Sequence, residues 1–535
     1  MTTKKMGIVL TLLVLVGCQN ADNATSSVAA TDAPPNVILL MADDMGWAQT
    51  GYYGHPVMKT PHLDDMARNG LRMDRFYAGA PSCTPTRASV MTGRTNDRTG
   101  AFRVGESLNK QENLLSTAFR DAGYATAHFG KWHLNFNGVG MDHPMPLDDP
   151  HNPGELGFDY WLSTTSGFDL FSIEGGRFEL SRMGEREEFQ GDGSEVIVDE
   201  ALQFITEQVE NDKPVFVVIW YSTPHGPWEA TEEDIAPFLD VVDRSSAHMH
   251  GEIVAMDRSI GNLRQGLKEL GIADNTLVWF TSDNGGSPNI DTGFSYPNGL
   301  ESEAVIEYPS DCSDDVDPNL TSEESAALGC IRGAKPDSTG HLRGFKKDFY
   351  EGGLRVPTVV EWPAGIDPRV TNFPSTTYDM FPTLIDVAGL SPDSINRVHD
   401  GMSLAEVFKS EPARRDKPLG FRASDGRMWM DNDWKIVQNV SFTMQGFITQ
   451  PFELYNVIGD PSEEQDLIKL YPERAARMQK ELAEWSVSVS RSALGADYPE
   501  EEVLPTGREF DPVVDERRKH RFAEWAEEVR QADSE

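Results

Sequence analysis

The sequence predicts an α/β fold, a central sheet covered by helices on both faces. Three observations carry this reading: strand-like and helix-like segments alternate from Asn36 onward, several short runs are apolar on both faces, and polar residues follow each run at once. The runs are Val37–Met41, Val215–Trp220, Leu277–Phe280 and a weaker one, Ala125–Phe129. A strand covered on both faces reads as a continuous apolar run, so these suit the centre of a buried sheet.

The strand ends come next. Asp43-Asp44 follows the first run, Lys131-Trp132-His133 the Ala125 run, Thr223-Pro224-His225 the Val215 run, and Asp283-Asn284-Gly285-Gly286 the Leu277 run. Ligands of open α/β sheets bind beyond the carboxyl ends of the strands, so the four ends predict one shared pocket. A helix is expected around Tyr378–Leu384 at the close of the main domain. Beyond about residue 415, the alternating segments Trp434–Val437 and Phe452–Tyr455 predict a small antiparallel sheet. Pro472 then opens a helix with Ala475, Met478, Leu482 and Trp485 on one face. The charged tail holds a further amphipathic segment around Phe522, Trp525 and Val529.

Composition bounds the partners. The chain has 535 residues and a formal charge of −39, which argues against nucleic acid, whose binders present basic surfaces. Between Leu300 and Glu324 lie nine acids and no Lys or Arg, which reads as a solvated surface insertion of about residues 298–338. Its carboxylates lack EF-hand spacing.

Lys4 and Lys5 precede an apolar run, Ile8–Val16, too short to span a bilayer and suited to a signal peptide of residues 1–17. Leu15-Val16-Gly17-Cys18 is similar to a bacterial lipobox. The similarity implies acylation of Cys18 and, with Gln19 next, an outer-membrane anchor. Residues 18–35 would be a flexible tether. Cys83, Cys312 and Cys330 then remain, an odd number for an oxidising compartment. A Cys312–Cys330 bond would close a short loop and remove about 3 kcal/mol of unfolded-chain entropy. Cys83 is the one left over.

Cys83-Thr84-Pro85-Thr86-Arg87 is followed by Ala88-Ser89-Val90-Met91-Thr92-Gly93-Arg94. Pro85 suits a first helical turn, which puts Cys83 where free N–H groups hold an anion. Plain thiolate catalysis would also work there, because a helix N-terminus and Arg87 both depress a thiol pKa.

These twelve residues resemble the type I sulfatases of the alkaline phosphatase superfamily, in which the Cys of C-x-P-x-R is oxidised to formylglycine by a maturation enzyme. The resemblance extends through Asn36–Trp47, Gly130-Lys131-Trp132-His133-Leu134, Thr223–Pro227, Ser282–Gly285, Leu342–Lys346 with Tyr350–Pro357, and Glu453–Asn456 with Asp460-Pro461 and Glu464. Phe345 stands where many relatives have Gly. The resemblance implies a large mixed, mostly parallel sheet sandwiched by helices, with a small C-terminal antiparallel-sheet subdomain plus helix. The implied division is a catalytic domain at 36–415, the subdomain at 416–490 and a charged tail at 491–535.

The implied chemistry is sulfate monoester hydrolysis. Asp43, Asp44, Asp283 and Asn284, with the modified Cys83, would hold one Ca2+; hard oxygen donors suit calcium better than zinc. The resemblance makes residue 83 the nucleophile, activated by Asp283. His225 with Lys346 protonates the leaving alcohol, His133 takes the proton that releases sulfate, and Arg87 and Lys131 steady residue 83. The implied partners are a sulfated carbohydrate and the formylglycine-generating enzyme. Lys131, Arg87, Lys346 and Arg103 would make a basic pocket in an otherwise repelling surface, with Trp161, Trp228 and a 134–190 insertion as sugar contacts. Competing readings are a small-molecule arylsulfatase, a phosphonate or phosphodiester hydrolase of the same superfamily, and a catalytically dead glycan-binding lipoprotein. The last would be expected to lose Cys83, Asp283 or His225, and all three are present.

Overall fold

The computed structural model describes residues 33–55, 57–135, 145–168, 177–226, 228–242, 244–287, 338–423, 426–443, 446–505 and 512–534. Cys18, the expected Cys312–Cys330 bond, the leader and tether through residue 32 and the acidic insertion up to residue 337 lie outside the described residues.

A ten-stranded mixed sheet forms the centre. Across it the order is Arg369–Thr371, Leu71–Met73, Val359–Glu361, Thr276–Ser282, Asn36–Ala42, Val215–Trp220, Ala125–Lys131, Tyr160–Thr164, Arg177–Arg182 and Glu185–Gln190. The five strands from Thr276–Ser282 to Tyr160–Thr164 run parallel, and they include all four apolar runs. Antiparallel pairs enter on both sides, at Val359–Glu361 and at the Arg177–Gln190 hairpin. The apolar runs are central because each buries alternate residues on opposite faces. Val37, Leu39 and Met41 enter one core, and Ile38, Leu40 and Ala42 the other. Each such Val, Leu or Ile contributes about 1.5–3 kcal/mol of burial, so a polar residue on either face would be costly.

Among its described residues, segment 134–190 supplies three strands that extend the sheet to its edge. Trp161 lies on the first of these, only 1% exposed inside a core cluster, so it cannot stack on a sugar.

The C-terminal sheet, Leu419–Ala423, Gly426–Asp431, Trp434–Gln438 and Glu453–Asn456, is antiparallel throughout. One face packs on Tyr77, Phe349, Leu354 and Tyr378 of the main domain. The other takes Ala475, Met478 and Leu482 of the Pro472–Ala493 helix, whose N1 proline starts it where no N–H is needed. The Pro512–Ser534 helix returns to the main domain, where Trp525 meets Phe102 and Ala493. The helix expected near Tyr378 runs from Met380 to Ala388, after a short 3-10 turn.

Candidate active site

Strand ends and one buried helix build the site. Helix Cys83–Thr92 begins at Cys83, carries Pro85 in its first turn, and ends at Gly93, which takes φ 68° and donates its N–H to Ser89 O. All ten helical residues are buried. Its hydroxyls therefore need internal partners: Thr86 Oγ1 donates to Ala80 O at 2.7 Å, Ser89 Oγ to Thr86 O and Thr92 Oγ1 to Ala88 O. Thr84 Oγ1 donates to His133 O at 2.9 Å and accepts from Gly105 N, which ties the helix start to the neighbouring strand end.

Backbone bonds stitch the strand ends together, Asp43 N to Thr223 O at 2.9 Å and Asp283 N to Ala42 O at 3.1 Å. Two residues just past strands, Asp44 at φ 66° and His133 at φ 55°, hold left-handed conformations that non-glycine residues seldom adopt. Such geometry survives where surrounding contacts over-determine it, and it turns both side chains off the strand direction.

Ten of the residues singled out by sequence converge here. The Cys83 thiol lies 3.6 Å from Asp43 Oδ1. Arg87 donates from Nε and Nη2 to Asp283 Oδ2 at 3.1 and 2.7 Å, and from Nη1 to Lys131 O. Its guanidinium lies 5.0 Å from the centre of the Trp220 ring. Lys131 Nζ pairs with Asp43 Oδ2. Lys346 Nζ stands 2.7 and 2.8 Å from the two oxygens of Asp44. Asn284 Nδ2 donates to Asp44 Oδ1 at 2.7 Å, and Asp283 Oδ1 accepts the Asp44 N–H. His225 Nε2 is 3.7 Å from Asp44 Oδ2, with a side chain 38% exposed, so it marks the open side of the pocket. His133 is buried, with Nδ1 lacking a hydrogen-bond partner among the described residues. Trp228 stays with this loop, half-buried, its Nε1 on Pro224 O. Arg103 lies near Glu106, whose carboxyl it draws down against the effect of burial.

Charge and burial compete throughout. Burial alone would raise Asp43, but Lys131, with His225, Arg87 and Lys346, holds it well below the usual carboxylate range. Asp44 is lowered too, against burial, chiefly by Lys346 and His225. Burial and Asp43 push Asp283 up to about 7 against the pull of Arg87. The Cys83 thiol is pushed up by burial, and this corrects one expectation. A helix N-terminus does not yield a ready thiolate here, because burial, with Asp283 and Asp43 adding to it, outweighs the pull of Lys346 and Lys131.

The donors fit a cation. One oxygen each of Asp43, Asp44 and Asp283 and the Cys83 sulfur all lie within 4.8 Å of one another. Asn284 Oδ1 is buried with no hydrogen-bond partner among the described residues, an acceptor facing a cost of about 1–3 kcal/mol unless something positive meets it. Three carboxylates face the three cations Arg87, Lys131 and Lys346, so a bound divalent ion makes the pocket net positive.

The profile of the Sulfatase family matches residues 35–390. The chain belongs to the sulfatase family. It is a sulfuric ester hydrolase on the alkaline phosphatase-like fold. Among relatives of this sulfatase, the N-acetylgalactosamine-6-sulfatase of Canis lupus familiaris is 29% identical over 429 residues, covering 75% of this chain and 70% of the relative. The ulvan-active sulfatase of Formosa agariphila is 24% identical over 504 residues, covering 88% and 85%. The crystal structure of Ps i-CgsB in complex with k-i-k-neocarrahexaose superposes with a TM-score of 0.67 at 23% identity, over 92% of this chain and 98% of that one.

Sequence reasoning missed several contributors. Thr84 and Trp220 touch site residues, and Gly285 packs so closely that a Cβ there would come within 1.8 Å of Gly352 O. Gly285-Gly286 after a strand was the available signal, since paired glycines mark close backbone approach.

Proposed function

We propose that this sulfatase removes sulfate from a sulfated polysaccharide or its oligosaccharides, with residue 83 working as formylglycine beside one Ca2+. The observation that carries the reading is Cys83 at a buried helix start inside the Asp43, Asp44 and Asp283 cluster. The thiol is a poor nucleophile there, whereas an aldehyde hydrate needs no thiolate. Oxygen donors from two strand ends suit Ca2+, which when bound polarises the ester and offsets charge on the sulfate oxygens. As a formylglycine hydrate, residue 83 would supply one oxygen to sulfur while the S–O bond to the sugar breaks, and a second hydroxyl whose deprotonation would restore the carbonyl as the C–O bond to sulfate breaks and sulfate departs.

The chain's own groups do the rest. Arg87 fixes Asp283, which accepts a proton from the attacking hydroxyl. Lys131 and Lys346 bring positive charge to the position where sulfate oxygens gather it, a contribution that favours the transition state. His225, on the open side, hands a proton to the departing sugar oxygen. Burial lowers its pKa against Asp44 and Asp43, and an arriving sulfate ester favours the protonated ring. His133, held neutral by burial with Lys131 and Arg87 nearby, takes the proton of the remaining hydroxyl.

The glycan reading is supported by similarity to an N-acetylgalactosamine-6-sulfatase and an ulvan-active sulfatase, and by a neighbour of the same fold crystallised in complex with k-i-k-neocarrahexaose. The test pairs two measurements on protein made alongside a formylglycine-generating enzyme. Mass spectrometry of the peptide bearing residue 83 is expected to show an aldehyde in place of the thiol, and sulfate release is expected from a panel of sulfated glycans. Full activity with an intact thiol would sink the mechanism. We further propose attachment to the outer membrane through a lipid on Cys18. Mass spectrometry of the mature N-terminal peptide from the native bacterium checks this, with an unmodified Cys18 as the contrary result.

A further inference from the structure

Beneath the site lies a buried ion triad that the proposed chemistry does not use. Lys435, on strand Trp434–Gln438 of the C-terminal sheet, stands 3.0 Å from Glu351 Oε1 and 2.9 Å from Glu463 Oε1. All three residues are 0% exposed. Glu463 Oε2 accepts the Glu351 N–H at 2.6 Å, and Tyr77 OH donates to Glu351 Oε2 at 2.9 Å. Glu463 itself takes a left-handed φ of 51°, a conformation that needs such anchoring. A buried charge group of this kind is weak evidence for stability, because desolvation offsets most of the attraction. Its worth is better sought in what it holds in place.

Glu351 opens the Glu351–Leu354 helix, and the next two residues are Gly352 and Gly353. Gly285 N donates to Gly353 O at 3.0 Å, Gly352 N donates to Arg343 O at 2.7 Å, and Lys346 N donates to Gly286 O at 3.0 Å. The double-glycine turn therefore joins the Asp283-Asn284 strand end to the Lys346 loop, and both reach Asp44. Fit is tight: a Cβ on Gly352 would meet Gly344 O at 2.3 Å, and one on Gly353 would meet Asp348 O at 2.2 Å. Glu463 adds a second tie, since its carbonyl accepts from Arg343 Nη1 at 3.0 Å. A shift of Glu351 would carry the turn, and with it Asn284 and Lys346, away from Asp44.

We infer that Lys435 is a positioning residue for the cation pocket, acting through Glu351 and the Gly352-Gly353 turn, so that the C-terminal sheet completes the site. Both Lys435 and Glu463 lie beyond residues 35–390, so the pocket depends on residues outside the span of the family match. The inference rests on the cation reading proposed above.

The experiment titrates Ca2+ into metal-free full-length protein by isothermal calorimetry, with melting temperatures in parallel. Lys435→Met is expected to bind Ca2+ about tenfold more weakly, the scale seen when supporting contacts of a metal site are lost. Arg415→Met breaks another buried pair, with Asp379, and is expected to lower the melting temperature while leaving Ca2+ affinity at the wild-type value. Should Lys435→Met not fold, Glu463→Gln keeps an acceptor for the Glu351 N–H and is expected to weaken Ca2+ binding in the same direction. If the folded triad variant melts lower yet binds Ca2+ as the wild type does, Lys435 is structural only and the inference is overturned. If the wild type takes up no Ca2+, the cation reading falls, and this inference with it.

Discussion

Arg87 holds Asp283 by two nitrogens on a single oxygen, Nε at 3.1 Å and Nη2 at 2.7 Å, and so leaves Oδ1 to receive the Asp44 N–H. One guanidinium thereby sets the orientation of a carboxylate that shares its pocket with Asp43 and Asp44. A lysine has no planar fork and cannot keep both bonds. Arg87→Lys is expected to fold and to lose about 100-fold in kcat on an aryl sulfate. Steady-state kinetics beside far-UV circular dichroism checks this, and kinetics equal to the wild type would remove Arg87 from the site's ordering.

Removal of divalent ions should destabilise as well as inactivate, since the cluster of three carboxylates and an orphan Asn284 oxygen is built around positive charge. At a Ca2+ concentration 100 times the dissociation constant, binding adds about 2.7 kcal/mol. Differential scanning calorimetry after chelation and again after Ca2+ addition is expected to show melting fall and recover. A melting curve indifferent to both treatments would mean the donors bind no ion.

Acid sensitivity is expected from Asp400. Burial would raise it, but Arg98, Thr95 N and Trp485 Nε1 all donate to it and hold it well below the usual carboxylate range. A carboxyl lowered by folding contributes stability above its unfolded pKa of about 4 and loses it as pH falls toward the folded value. Asp400→Asn is expected to cost about 1.5–3 kcal/mol at pH 7. The gap from wild type should shrink below about pH 4. Denaturant unfolding across pH measures it, and a gap that does not vary with pH would contradict the assignment.

The C-terminal helix should be integral to the loop after the Cys83 helix. Trp525 is 4% exposed, with its ring 4.8 Å from Phe102, and Arg518 reaches Glu106 Oε2 at 3.0 Å. Trp525→Ala is expected to cost about 3–5 kcal/mol. Hydrogen exchange should show lost protection across residues 96–109, and unchanged protection there would mean that the helix does not brace the loop.

What the sequence determined by itself was whatever is local or periodic. Two-faced apolar runs named the central strands, the polar residues after them named the pocket, and Pro85 placed Cys83 at a helix start, because each signal is spelled within a few adjacent residues. Tertiary structure alone decided the rest. Trp161 looked available to a sugar until its strand joined the sheet and buried it. Thiolate catalysis looked workable at Cys83 until burial, with Asp283 and Asp43 close by, pushed the thiol up. Lys435 was a lone cation in an apolar strand, and its partners Glu351 and Glu463 are distant in the chain. Burial and pairing depend on which segments meet, and free energies of charge in a low-dielectric interior follow from that meeting rather than from neighbours along the chain.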